Sequence, residues 1–292
     1  MDTQLATVTT VVAEIALALH PILIKQIPTG LPTQLLARLT TYSVLAALLA
    51  GPRDWAASWG SLAISANSIV FGLMNLLHIG SSYLSYQHLP AGSALALFYT
   101  YPFFNILAGV LFLGDSFDWT LMPLFLLAFA GVVLISKYTG DGNGGDKDIK
   151  KNIPLGIGAS LISALTETLI FLVAKTGTEK TAWLPILRLY PGALAGLLAV
   201  FATKGITPEF NTSVWIPLLL FNIFVGFLGY SLRFFSIPRL PTAIFSLLTF
   251  IGVAAGYGWG LMYAKEVPSL GALAGAGCIT GSLGLMKLFG KA

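Results

Sequence analysis

The chain has 292 residues, 56% of them hydrophobic and 10% charged, with a formal net charge of +4 and a mean hydropathy of +0.82. Soluble domains carry about 25% charged residues, so the composition excludes a soluble globular protein and identifies an integral membrane protein with no room for a soluble domain. The basic balance reflects topology and lipid headgroups, not nucleic acid, because the lysines fall mostly in short loops and near the C-terminus. A lone Cys278 excludes an intrachain disulfide and a cysteine-based metal cluster.

The opening MDTQLATVTT has no basic region and no evident cleavage site after the first span, so that span is expected to stay as a helix. Reading for about 20 apolar residues per span predicts ten transmembrane helices. They cover 5–24, 31–49, 66–87, 91–113, 119–137, 155–174, 183–202, 212–236, 241–264 and 267–289. The loops are short and carry turn residues, as in Pro28-Thr29-Gly30 and Gly51-Pro52-Arg53-Asp54. Residues 139–152 (TGDGNGGDKDIKKN) are different: glycine-rich and charged, they read as a solvated linker between a first repeat, 1–138, and a second, 153–292.

The two halves repeat one pattern. Leu89-Pro90 opens an apolar run that closes on Gly114-Asp115, and Leu240-Pro241 opens another that closes on Lys265-Glu266; proline and acid are 25 positions apart in both. The copies superimpose at an offset of 151 without a gap. Glu14 in the first span answers Glu167 in the sixth, and Arg38 in the second answers Arg188 in the seventh. Five spans per repeat is an odd number, so the second repeat is expected upside down relative to the first, the inverted arrangement of two-repeat transporters. Orientation is undecided by charge: six loop or terminal cations lie on the side of the termini and seven on the other.

Glu14, Arg38, Glu167 and Arg188 fall inside predicted spans. A charge at a helix centre costs about 2.5–3.5 kcal/mol even on the lenient insertion scale, so all four are expected to face the interior, a wet cavity or each other. Hairpin geometry allows Glu14 to reach Arg38, and Glu167 to reach Arg188. Two roles fit. Salt bridges that only lock each hairpin are one; the other is a central site in which arginines hold an anionic group and glutamates hold a cation or a transported proton.

Polar stripes extend that cavity. Asn75, His78 and Ser82 lie on one face of the third span, and Asn222, Gly226, Gly229, Tyr230 and Arg233 on one face of the eighth. In the fourth, Phe98, Tyr101 and Asn105 share a face beside Pro102, which is expected to kink the helix. Interhelical hydrogen bonding is the alternative to ligand contact for Asn75, Tyr101 and Asn105. Arg233, near its helix end, either joins the site or snorkels to the headgroups. His20, beside Pro21, reads as packing or interfacial, and His88 as a solvated loop residue. Gly252, Gly256 and Gly260 recur every four residues, a spacing for close helix packing within the monomer or for a dimer.

The run LPAGSALALFYTYPFFNILAGVLFLGDSFDW, with Thr100-x-Pro102 and Gly114-Asp115, followed by Gly131-Val132-Val133-Leu134, resembles the drug/metabolite transporter superfamily of the EamA type. The second copy, LPTAIFSLLTFIGVAAGYGWGLMYAKEVPSLGA, keeps the frame but lacks the threonine–proline pair. Phe98-Tyr99-Thr100-Tyr101 lacks the asparagines of nucleotide-sugar transporters, and Lys265-Glu266 replaces the Lys-Arg pair of plastid phosphate translocators. The resemblance implies a cavity lined by helices one to four and six to nine, with five and ten as scaffold. It also implies cytoplasmic termini in a plasma or inner membrane.

The resulting expectation is a multi-pass transporter, without a cofactor, exporting a small polar metabolite such as an amino acid or nucleobase by alternating access. Its partners are that substrate, membrane lipid and protons as a candidate coupling ion, in a monomer or homodimer. The candidate substrate-binding residues are Glu14, Arg38, Asn75, His78, Tyr99, Tyr101, Asn105, Glu167, Arg188, Tyr230 and Arg233. A non-transporting scaffold or receptor is the alternative. An embedded enzyme fits less well: the chain has no His-Glu-x-x-His zinc helix, no clustered aspartates, and no histidine after Gly281-Ser282-Leu283-Gly284.

Overall fold

The computed structural model describes residues 2–52, 54, 66–116, 119–138, 152–176 and 181–289. The 139–151 part of the linker and the cations Arg53, Lys147, Lys150, Lys151, Lys180 and Lys291 lie outside them. The described residues are all-helical. In chain order the helical segments are α1 (Asp2–Gln26), α2 (Leu31–Leu49), α3 (Ala66–His88), α4 (Ala91–Leu113), α5 (Met122–Tyr138) and α6 (Ile153–Thr176). They continue as α7 (Leu184–Lys204), α8 (Thr212–Arg239), α9 (Thr242–Tyr263) and α10 (Leu270–Phe289). Six of them, α1, α4, α6, α7, α8 and α9, are long and apolar enough to cross a membrane, the pattern of a multi-pass membrane protein. Large apolar side chains such as Leu48, Phe112 and Leu270 project outward, which suits a hydrocarbon surround and not water.

The segments pack as pairs: α1 on α8, α3 on α6 and α7, α2 on α7 and α8, α4 on α6 and α9, α1 on α9, and α5 on α10. One large apolar cluster joins them. The stripe Gly252, Gly256 and Gly260 faces inward: a Cβ at these positions would meet Tyr99, Leu95 and the Glu266 carboxylate respectively. Its spacing therefore seats α4 against α9 within the monomer. Gly131 and Gly275 are each 2.5 Å, measured from an added Cβ, from the other's carbonyl oxygen; that close approach brings α5 onto α10.

Four of the long segments are interrupted. In α1 the helix breaks between Leu17 and His20, because Pro21 has no N–H for the Leu17 carbonyl. His20 Nδ1 donates to that carbonyl at 3.0 Å, and Trp259 of α9 donates to the Ile15 carbonyl. In α4 the break falls after Phe98, just ahead of Pro102, as the sequence predicts. The break in α9, after Leu248, has no proline. Thr100 and Thr249 each turn their hydroxyl onto the carbonyl three residues back, a bond that competes with the helix ladder and bends it. In α8 a π-helical turn covers Asn222–Phe227, so the stripe read as regular helix is advanced ahead of Tyr230 and Arg233.

The duplicated proline and acid have a physical purpose. The chain leaves α4 through Gly114 and α9 through Lys265, both left-handed at φ 72° and 52°, and Asp115 and Glu266 return their N–H to the Gly109 and Gly260 carbonyls, 3.1 Å in each case. These closures resemble Schellman helix ends but are one residue wider than the 6→1 bond. Each acid then reaches the start of the opposite helix. Asp115 Oδ2 accepts from the Thr242 hydroxyl at 2.6 Å, and Glu266 Oε2 accepts from the Ala91 N–H at 2.8 Å. Glu266 thereby satisfies an orphan N–H of α4, whereas Asp115 meets α9 through the Thr242 hydroxyl, and both carboxylates lie at the positive end of a helix dipole. The two helices thus run antiparallel, each capped by the other's terminal acid, and Lys25 adds an ion pair to Glu266 at 2.8 Å.

Removing either cap should cost about 1 kcal/mol. The caps are separated by helices of 22 and 23 residues, roughly 30 Å. Asp115→Ala and Glu266→Ala should therefore lower the thermal unfolding midpoint in detergent, and the double variant should lose the sum. Lys265→Gly should raise it, since a non-glycine residue in the left-handed region costs about 1–2 kcal/mol.

Candidate functional site

Of the ionisable groups that the sequence places mid-span, Glu14, Arg38, Glu167 and Arg233 come to one region and Arg188 does not. Glu14 precedes the α1 break, Tyr99 and Tyr101 flank the α4 break, and Tyr230 and Arg233 follow the π turn of α8. Glu167 comes from α6, His78 from α3 and Arg38 from α2. All of these side chains are buried.

Arg233, 2% exposed, is the hub. Its Nε lies 3.2 Å from Glu14 Oε1 and its Nη1 3.1 Å from Glu167 Oε1. Nη2 donates to the Tyr101 hydroxyl, and Tyr99 donates its hydroxyl to Glu14 Oε2. The guanidinium also lies over the Tyr101 ring, 4.9 Å from its centroid, adding a cation–π contact. One planar cation thereby holds carboxylates from α1 and α6 together, using the fork geometry that distinguishes arginine from lysine. Arg233 does not snorkel.

His78 continues the chain of contacts. Its Nδ1 lies 3.1 Å from the Ser163 carbonyl, which can only accept, so Nδ1 carries a proton. Its Nε2 is 3.2 Å from Glu167 Oε2 and 3.4 Å from the Tyr230 hydroxyl. A bare Nε2 and an ionised carboxylate at that distance are two acceptors in contact, which repel unless a proton lies on one of them. The pair is therefore a place where one proton can be held.

Arg38, also 2% exposed, stands apart. Among the described residues no carboxylate comes within ion-pair distance of it. Its Nη1 and Nη2 donate to the Tyr83 and Tyr190 hydroxyls at 3.4 and 3.3 Å, and its Nε has no partner. The rings of Tyr42, Tyr83 and Tyr230 surround it at 5.1–5.4 Å.

The pairing expected within each hairpin is not made. Glu14 meets Arg233 in place of Arg38, and Glu167 meets Arg233 and His78 in place of Arg188. The reason is the direction of packing: α1 lies on α8, and α6 on α3 and α4, more extensively than each lies on its hairpin partner. Arg188 is half-buried near the start of α7 and outside this ionic group. Asn75 and Asn105 are buried as expected, and both their polar atoms lack hydrogen-bond partners. Tyr42, Tyr83 and Tyr190 escaped the sequence reading because tyrosine in a span reads first as packing. The signal available was Tyr42 one helical turn after Arg38, and Tyr83 four residues after Ile79 on a face flanking the polar stripe.

Between Arg38, Arg233, His20, His78, Tyr86 and Tyr230 lies a cavity of about 20 Å³, room for roughly one water. A wider groove of about 710 Å³ among α2, α3, α6 and α7 is lined almost wholly by apolar side chains and offers no charge to a polar solute. No group of three metal-ligating side chains occurs among the described residues.

No family model matches the chain, and no curated protein matches it. A solved structure, described only as a crystal structure of a protein, is similar to it with a TM-score of 0.66 at 16% identity. The match covers 97% of this chain and 96% of the other, so the likeness extends over the whole fold.

Arg233→Ala should be among the most damaging single changes, because it leaves two buried carboxylates uncompensated, at a cost of about 3–5 kcal/mol. Glu14→Gln keeps the shape and removes one charge, and should cost less. Thermal unfolding of the purified variants in detergent checks the order.

Proposed function

We propose that this chain is a secondary transporter of the drug/metabolite type, with ten membrane-crossing helices arranged as two inverted five-helix repeats. The reading rests above all on the buried ionic centre, in which two carboxylates, two guanidiniums and an imidazole converge beside a small cavity. Intramembrane ionisable groups on inward faces are the usual mark of a substrate or ion path. The reciprocal caps of α4 and α9 support the inversion, and so does the packing. Exchanging each segment for the one five places on turns α3 on α6 into α8 on α1, α3 on α7 into α8 on α2, and α4 on α6 into α9 on α1, all of which occur. The likeness of fold to a solved structure adds no function to this.

In this reading the cavity is occluded, with Arg233 clasping α1, α6 and α8 around it. Substrate competes for these groups, and each open state is stabilised by its own set of charge pairs, which is what alternating access requires. The His78–Glu167 contact carries the coupling proton: loss of that proton on one side releases Glu167 to Arg233 alone. The cargo is a small polar metabolite, moved outward from a cytoplasm that holds both termini.

The test is counterflow in liposomes across a panel of labelled amino acids and nucleobases, with and without a pH gradient. Saturable counterflow of at least one compound is expected, with accumulation driven by the gradient. Glu167→Gln should keep exchange and lose gradient-driven accumulation. Wild-type exchange indifferent to the gradient would remove the proton from the mechanism, and no exchange of any compound would remove transport.

A further inference from the structure

The two buried arginines are not equivalent, and the difference names a class of ligand. Arg233 is neutralised by two carboxylates, whereas Arg38 has none within ion-pair distance among the described residues. Its two hydrogen bonds, at 3.3 and 3.4 Å, lie beyond the usual 2.7–3.2 Å range, and Nε is unspent. The partners it does have are phenols used as acceptors. In that role the Tyr83 and Tyr190 hydroxyls keep their own protons free to donate, and among the described residues no acceptor receives either of them. The Tyr42 hydroxyl, one helical turn from Arg38, has no partner at all.

The surroundings of Arg38 are thus rich in donors and poor in acceptors, around a fixed positive charge that borders the central cavity. A buried cation with unmade hydrogen bonds is costly to keep, and a ligand that brings acceptors and one negative charge removes the cost. We propose that Arg38, with Tyr83 and Tyr190, forms the receptor for the carboxylate of an organic monocarboxylate, bound through the guanidinium fork. A monoanion fits better than a dianionic phosphate. Two guanidiniums and two carboxylates already balance in the centre, and each added negative charge faces Glu167, whose partners are Arg233 and His78. The tyrosine rings that wall the guanidinium, including the Tyr42–Tyr190 stack at 4.6 Å, give an apolar or aromatic body a surface to lie on.

This assignment gives the proposed transporter its substrate class and rests on that reading, but it is tested by binding alone. Purified full-length protein in detergent, at fixed pH and ionic strength, is titrated with acetate, lactate and benzoate, with the matching neutral amides, and with inorganic phosphate. Thermal midpoint and calorimetry are the readouts. The carboxylates, benzoate most strongly, should raise the midpoint, and acetamide, lactamide and benzamide should not. Arg38→Gln should abolish the shift. Tyr83→Phe with Tyr190→Phe, which keeps the rings and the fold, should weaken benzoate binding at least tenfold. Amides as effective as carboxylates, benzoate binding unchanged in either variant, or phosphate binding tighter than benzoate would each overturn the assignment. Carboxylate binding that depends on Arg38, in a protein that shows no counterflow, would support this site and overturn the transport reading instead.

Discussion

The structure depends on one guanidinium. Arg233 is surrounded by protein in the middle of an apolar bundle, where an isolated charge costs several kcal/mol. It is retained because Glu14 and Glu167 bring opposite charge to it and Tyr101 adds a hydrogen-bond acceptor. Reciprocally, neither carboxylate could stay ionised there without it. Three segments distant in sequence, α1, α6 and α8, are therefore joined at one point by an interaction that apolar packing could not specify, since lipid tails are as apolar as leucine. A π turn, Asn222–Phe227, precedes Tyr230 and Arg233 on α8. Such turns insert one residue into the helix and are common where side chains must be aimed.

At the ends of the bundle the same economy appears in weaker form. Asp115 is exposed, where electrostatic gains are screened, and the Glu266 carboxylate is mostly buried, 14% exposed; each meets the first turn of the opposite helix. The centre ties α1, α6 and α8 together, while the caps tie α4 to α9 at both ends. α4 and α9 are also the two helices broken at equivalent places, after Phe98 and Leu248. The ends of these two helices are thus tied together while their middles are interrupted. This distribution is the one that the proposed alternating-access cycle calls for.

The ionic centre also has a division of labour. Arg233 is internally neutralised, so moving it requires another charge to take over one of its carboxylates. Arg38 is held only by phenols, rings and long hydrogen bonds, so it can turn to an incoming acceptor at small cost. The His78–Glu167 contact stands between them and shares Glu167 with Arg233. A proton or an anion arriving at one member of this series changes the balance at the others, because all lie in a medium that screens little.

Much of this was legible in the chain. Apolar runs of membrane-crossing length, the break at Pro102 and the repeat at offset 151 all follow from residue type and spacing, because the lipid environment demands internally satisfied helices. The glutamates and Arg38 declared themselves as buried groups because a charge within an apolar run has few other places to go; Arg233 was left open between the site and the headgroups, and Arg188, expected with the other three, is only half-buried. The partners were not legible. Glu14 and Arg38 are neighbours along one hairpin, and sequence proximity favours their pairing; the tertiary fold lays α1 on α8 and gives Glu14 to Arg233 instead. The α9 break and the π turn carried no proline to announce them, since both arise from hydrogen bonds that helices choose only when packed. Composition and period thus determined which groups are buried, being one-dimensional properties. Which charge meets which was decided by helix packing, because ion pairing depends on distances of 3 to 4 Å between elements that the chain order leaves free.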